Sequence, residues 1–177
     1  MGDNLSNAFT YLLHSVITMY GLMFLLRLLL QLIRADYYNT VTQFVVALTD
    51  VLVKPLRRVI PPYKRLDLSC LLLFLILTAM AIMVQGLRIP PPGELLVQTF
   101  RLALFSIKSL YFVLIIAYVV LSWLAHSVRH PIIPLVSQLV DPVLQPFRRL
   151  IKPIGGLDLS PILALLALQF LSLLLGL

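Results

Sequence analysis

The stretch DPVLQPFRRLIKPIGGLDLS, residues 141–160, decides how the rest of the chain is read. It sets an arginine pair, three prolines, a glycine pair and an Asp-Leu-Ser ending between two strongly apolar segments. DVLVKPLRRVIPPYKRLDLS, residues 50–69, repeats it at a shift of 91 with no gap. Asp50 falls on Asp141, Pro55 on Pro146, Arg57-Arg58 on Arg148-Arg149 and Leu66-Asp67-Leu68-Ser69 on Leu157-Asp158-Leu159-Ser160. Beyond the motif, Phe9 falls on Phe100, Ser15 on Ser106 and Tyr20 on Tyr111. The chain is therefore read as a duplication, with copies over 3–86 and 94–177 and a Pro/Gly linker at 87–93.

Working outward, the flanks are too apolar for a water-soluble core. Of 177 residues, 60% are hydrophobic and 12% charged, with a mean hydropathy of +1.01. Soluble domains run nearer half apolar and a quarter charged, and a core of this size cannot hide the excess. A membrane span needs roughly 20 apolar residues. Four stretches qualify: about 9–33, 68–87, 102–125 and 161–177. IPPPGE, 89–94, separates the middle two, because prolines cannot continue a helix. Each copy holds two spans, so the copies enter the membrane in the same orientation, as parallel repeats. The fold expected is an all-α membrane protein with four transmembrane helices.

Between the spans of each copy runs an amphipathic segment. Val41, Phe44, Val45, Leu48, Val51, Leu52, Leu56 and Val59 recur at helical spacing, as do Ile132, Leu135, Val136, Leu139, Val143, Leu144, Phe147 and Leu150. Apolar residues at i, i+3, i+4 and i+7 make one greasy face, which predicts interfacial helices that kink or end at Pro55 and Pro146.

Charge gives the orientation. The loops 34–67 and 126–158 carry Arg34, Lys54, Arg57, Arg58, Lys64, Arg65, Arg129, Arg148, Arg149 and Lys152, against Arg88, Arg101 and Lys108 opposite. Ten against three places the motif loops in the cytoplasm and both termini outside, in the periplasm of a bacterial inner membrane. The start, MGDNLSNAFT, is expected to carry no cleaved signal peptide. A single cysteine, Cys70, excludes an internal disulfide and a Cys-based zinc cluster.

The motif is the candidate site: Pro55, Arg57, Arg58, Asp67 and Ser69 in one copy, Pro146, Arg148, Arg149, Asp158 and Ser160 in the other. Ser160 reads as the N-cap of the last span with Pro161 as its first helical residue, and Ser69 takes the same slot in copy one. Asp67 and Asp158 add negative charge near a helix N-terminus. The arginine pairs admit three readings. They are positive-inside anchors with no other task; or one arginine of each pair folds back onto the aspartate; or the pair holds a ligand or an anionic lipid. Arg27, about 10 Å along the first span from the expected cytoplasmic boundary, reads as snorkelling to that boundary, with an ion or substrate pathway as the alternative, and His14 as a packed neutral imidazole. No HExxH, GxSxG or P-loop pattern occurs, which argues against an enzyme, and no metal or cofactor is expected.

The residues PLRRVIPPYKRLDLS and PFRRLIKPIGGLDLSPILALLAL resemble the repeat of the YggT/YlmG family of bacterial and plastid integral membrane proteins. Its pattern is P-x-R-R-x-x-P-P, a glycine-rich turn, D-x-S and an apolar span. Lys152-Pro153 departs from the two prolines, and residues 63–65 from the glycines. The resemblance implies small multi-pass proteins without established enzymatic activity. It links them to osmotic stress and potassium homeostasis, cell division and envelope organisation, and in plastids to nucleoid distribution and cytochrome assembly. A non-enzymatic scaffold or assembly role is expected, with the bilayer, anionic lipids, other membrane proteins or a homo-oligomer as partners. The alternative is small-cation transport. Nucleic acid is disfavoured, since positive charge alone speaks for it and no stacking platform accompanies it.

Overall fold

The computed structural model describes residues 2–62, 66–86, 90–124, 130–151 and 158–177. Among these the regular structure is helical: α1 (Gly2–Leu32), α2 (Thr40–Arg57), α3 (Leu68–Gln85), α4 (Pro92–Leu124), α5 (Ile132–Leu150) and α6 (Ser160–Leu174). Residues 63–65 and 152–157, where the sequence leads one to expect turns, the expected linker residues 87–89, and 125–129 with His126 and Arg129 lie outside the described residues.

Among the described residues, three helices are long and apolar enough to cross a membrane, over Asn4–Leu32, Leu68–Gln85 and Pro92–Leu124. The fourth apolar helix, α6, has 15 residues, about 22 Å at the helical rise. The helix containing the expected third span starts ten residues earlier than the sequence reading placed it, at Pro92. The last proline of the PPP run opens α4 rather than interrupting it. Proline at the first helical position loses only an N–H that has no partner anyway. Leu95 N–H then donates to the Pro91 carbonyl, and the Gln98 amide to Glu94.

The other ends follow from local chemistry. α1 stops as Arg34 enters the left-handed region at φ 56°. α6 stops at Gly176, φ 63°, where the Leu177 N–H reaches back to the Ser172 carbonyl at 2.9 Å, a glycine-type C-cap. Pro146 does not end its helix. Pro142 and Pro146 both lie inside α5, which runs on to Leu150. They are exposed and four residues apart, so the backbone bonds they remove lie on one accessible side. Pro55 stands two residues before the end of α2.

The chain forms two compact units, Met1–Leu32 with Val45–Leu104 and Ile33–Phe44 with Phe105–Leu177. In the first, α1 packs along α3. Gly21 of α1 faces α3, where an added Cβ would meet Leu77 Cβ at an ordinary contact distance of 3.6 Å. In the second, Ile115 of α4, Val136, Val140 and Leu144 of α5 and Ala164 of α6 form a buried cluster.

The two amphipathic helices use their faces differently. α5 buries Leu135, Val136, Leu139 and Leu144, half of its apolar stripe, together with Val140. A stripe expected to lie on lipid is packed against protein, because periodicity marks an apolar partner without saying which one. α2 buries Thr42, Val45, Thr49 and Val53 and leaves Phe44, Leu48, Val51 and Leu52 exposed.

Candidate functional site

The first motif is a clasp between the end of α2 and the start of α3. The Arg57 Nε and Nη2 both donate to Asp67 Oδ2, the former at 3.0 Å. Asp67 is fully buried, and its other carboxylate oxygen accepts from the Cys70 N–H at 3.3 Å. Asp67, not Ser69, is therefore the N-cap of α3. A helix starting at Leu68 puts the aspartate in the cap position, and its full charge suits the positive helix end better than a hydroxyl does. Ser69, one residue into the helix, donates instead to the Ile60 carbonyl at 2.9 Å. This second tie runs back to the close of α2, where the Ile60 N–H meets the Leu56 carbonyl.

Burial raises the Asp67 pKa, but the bonds from Arg57 and Cys70 outweigh it and hold the carboxyl below its ordinary range. The same contact, led by the hydrogen bond to Asp67, pushes the Arg57 guanidinium up.

The second motif has the same frame and a different wiring. Arg148, the counterpart of Arg57, gives Nε to Asp158 at 3.0 Å, Nη1 to Asp141 at 2.8 Å and Nη2 to the Tyr118 hydroxyl at 2.9 Å. Its guanidinium carbon lies 5.8 Å from the Tyr118 ring centroid. Asp158 Oδ1 accepts from the Ser160 N–H at 2.9 Å. α6 opens one residue earlier than expected: Leu159 is its N-cap and Ser160, expected as the cap, is its first helical residue, with Pro161 behind it. The buried Ser160 hydroxyl meets no partner among the described residues. Desolvation raises the Asp158 pKa, and Ser160 with Arg148 brings it below the ordinary value.

In each pair, then, the first arginine holds the aspartate. The second, Arg58 or Arg149, is exposed and makes no ion pair among the described residues.

The sequence reading missed how Arg27 is used. The side chain does not reach for the membrane boundary. It is 6% exposed and binds Asp50 of α2 through Nη2 at 2.8 Å. Its Nη1 donates to Thr49 Oγ1 at 2.7 Å and to the Val46 carbonyl at 3.2 Å. Lys54 completes the site from the outer side, 2.9 Å from Asp50. Desolvation raises the Asp50 pKa, but bonds from Lys54 and Arg27 bring it below the ordinary value. Arg27 and Asp50 are 23 residues apart, so no helical spacing links them. The available signal was the duplication itself, which keeps an aspartate at 50 and 141 while the arginine at 27 becomes Tyr118.

Duplicated apolar helices, with an Arg–Asp clasp in each copy tying an amphipathic helix to the apolar helix after it, define a small helical protein of the kind compatible with a membrane. The chain belongs to the CCB3/YggT family, whose model matches residues 6–88 and again 97–177. An uncharacterized protein of Pseudomonas aeruginosa is 39% identical, over 96% of this chain and 89% of its own length. The uncharacterized protein YggT of Escherichia coli K12 is 34% identical, over 94% and 88%. The chloroplastic YlmG homolog protein 2 of Arabidopsis thaliana is 43% identical over 66 residues, 37% of this chain and 26% of its own. No solved structure matches.

Proposed function

We propose that this chain is a four-span inner-membrane protein of two tandem parallel repeats, with its motif turns in the cytoplasm and both termini in the periplasm. Its role is non-enzymatic: it organises other membrane proteins, or anionic lipid, at the cytoplasmic face. The topology rests on the basic loops, and on α6 crossing as a short fourth span with local thinning of the bilayer.

One observation carries the role. In each repeat the clasp engages one arginine and presents its neighbour. Arg57 and Arg148 are tied to Asp67 and Asp158, while Arg58 and Arg149, next to them in each copy, are exposed and make no ion pair among the described residues. A guanidinium held on a braced turn loses little freedom on meeting a phosphate or carboxylate. Two such groups, one per repeat, suit a docking platform better than a reaction centre.

The test is the double charge reversal Arg58→Glu/Arg149→Glu. Membrane insertion should persist, since the clasps are untouched. Capture of neighbouring membrane proteins by in-membrane cross-linking, and retention of anionic lipid on purification, should both fall. Unchanged capture and unchanged lipid would refute the reading.

A further inference from the structure

The two arginines left outside the clasps stand in different charge surroundings. In the first repeat Arg27, Lys54, Arg57 and Arg58 accompany Asp50 and Asp67, four cations to two anions. At the matched positions the second repeat has Tyr118, Gln145, Arg148 and Arg149 with Asp141 and Asp158, two to two. The pairing follows the count. Asp50 is met from the inner side by buried Arg27 at 2.8 Å, so Lys54, 2.9 Å away and 72% exposed, is a second cation on a carboxylate already matched. Arg148, by contrast, is divided between Asp141 and Asp158. The first repeat therefore presents a positive surplus, in Lys54 and Arg58, that the second lacks.

The surplus borders an apolar surface. Val51, Lys54 and Arg58 stand at i, i+3 and i+7, one side of a helix, and Arg58 prolongs the last turn of α2, its N–H meeting the Pro55 carbonyl at 3.3 Å. Phe44 and Leu48 precede Val51 by seven and three residues, so the same side runs on as an apolar arc. All three are exposed, whereas Leu135 and Leu139, the counterparts of Phe44 and Leu48, are buried. The face that is covered in α5 is open in α2.

An open apolar arc edged by surplus cations suits a ligand that is apolar along most of its length and anionic at one end. A second copy of this chain would bring the same positive surplus to the contact, and like charges oppose it. We propose that the first repeat, and not the second, binds the phosphate of an anionic phospholipid between Lys54 and Arg58, with Phe44, Leu48 and Val51 lying among acyl chains. The inference rests on the docking role proposed for Arg58 and Arg149, and assigns the lipid to one of those two arginines.

Val59 and Leu150 hold matched positions, each beside the free arginine of its repeat, and are equally exposed. The test places a single tryptophan at one or the other, Val59→Trp or Leu150→Trp with Trp123→Phe, in the full chain. The protein is reconstituted in vesicles of phosphatidylcholine and phosphatidylglycerol in equal parts. Bromine on the acyl chains of one lipid at a time reports, through quenching, which lipid sits beside the probe. At position 59 phosphatidylglycerol should be preferred about tenfold at low ionic strength, and less as salt rises. At position 150 the preference should stay within about twofold. Lys54→Gln, which copies Gln145, should lower the preference at 59 about threefold, and Gln145→Lys should raise that at 150 by a like factor. The gain in Gln145→Lys is read whether or not Lys54→Gln folds. Equal preference at the two probes, including none at either, or a preference undiminished in Lys54→Gln/Arg58→Gln, would overturn the inference and leave the docking role resting on captured membrane proteins. That role fails separately, if Arg58→Glu/Arg149→Glu captures its neighbours and lipid as the wild type does.

Discussion

At the residue scale the clasps make distinct predictions for adjacent arginines. Arg57→Ala leaves the fully buried Asp67 carboxylate without its cation. Breaking a fully buried pair costs about 3–5 kcal/mol; with Arg57 a third exposed, about 2–3 kcal/mol is expected here. Arg58→Ala, one residue on, should stay within about 0.5 kcal/mol. Chemical denaturation of the solubilised protein compares the two, and equal losses would remove the clasp as a stabilising element. Acid should act through the same groups. Asp50, Asp67 and Asp158 titrate lower in the folded protein than in the free chain, so near pH 4 the unfolded state binds more protons. Their contribution is complete above the unfolded value of about 3.9 and is lost as pH falls through the lower folded values. Tm measured from pH 6 to pH 3 should drop in this window, and Asp67→Asn with Asp158→Asn should flatten the drop. The partners of Asp67 and Asp158 were within reach of sequence reasoning, because both lie ten residues from their arginines. Which of two residues caps a helix was not, since Asp-Leu-Ser offers two capable side chains and only the true helix start selects between them.

At the element scale, helix identity followed from periodicity and hydropathy, whereas helix ends depended on single residues. Pro92 lengthened α4 because a proline that breaks a helix from inside can begin one. The stripe on α5 was legible as apolar, but lipid and protein are equally good partners for it. Two substitutions probe these elements. Arg34 holds a left-handed conformation that favours glycine, so Arg34→Gly should raise stability by up to about 1 kcal/mol, read by thermal unfolding in detergent. Gly21 faces α3 with its nearest neighbour at ordinary contact distance. Gly21→Ala should therefore be neutral or gain up to about 1 kcal/mol from helix propensity, while Gly21→Leu should separate α1 from α3, read as lost protection of Cys70 from thiol reagents. Strong loss in Gly21→Ala would show the packing to be tighter than described.

At the scale of the whole molecule the duplication was the most legible feature, because a register without gaps over the motif cannot come from composition alone. What it concealed was divergence. Arg27 and Tyr118 share a position, and that one exchange moves Arg148 onto two aspartates while the first repeat keeps separate pairs. The predicted topology is checked by reporter fusions: an alkaline phosphatase at either terminus should be active and a cytoplasmic fluorescent protein there dark, with the reverse pattern sinking the parallel arrangement. The helix lengths have a further consequence. α1 and α4 run 31 and 33 residues, while α3 and α6 run 18 and 15. At 1.5 Å per residue the short ones reach about 27 and 22 Å, against a hydrocarbon layer near 30 Å. Under the proposed four-span topology lipid beside α6 is pinched, and the elastic cost of that dimple falls when two dimples merge. Molecules that deform their surroundings in this way draw together through the bilayer itself, before any side chain touches another.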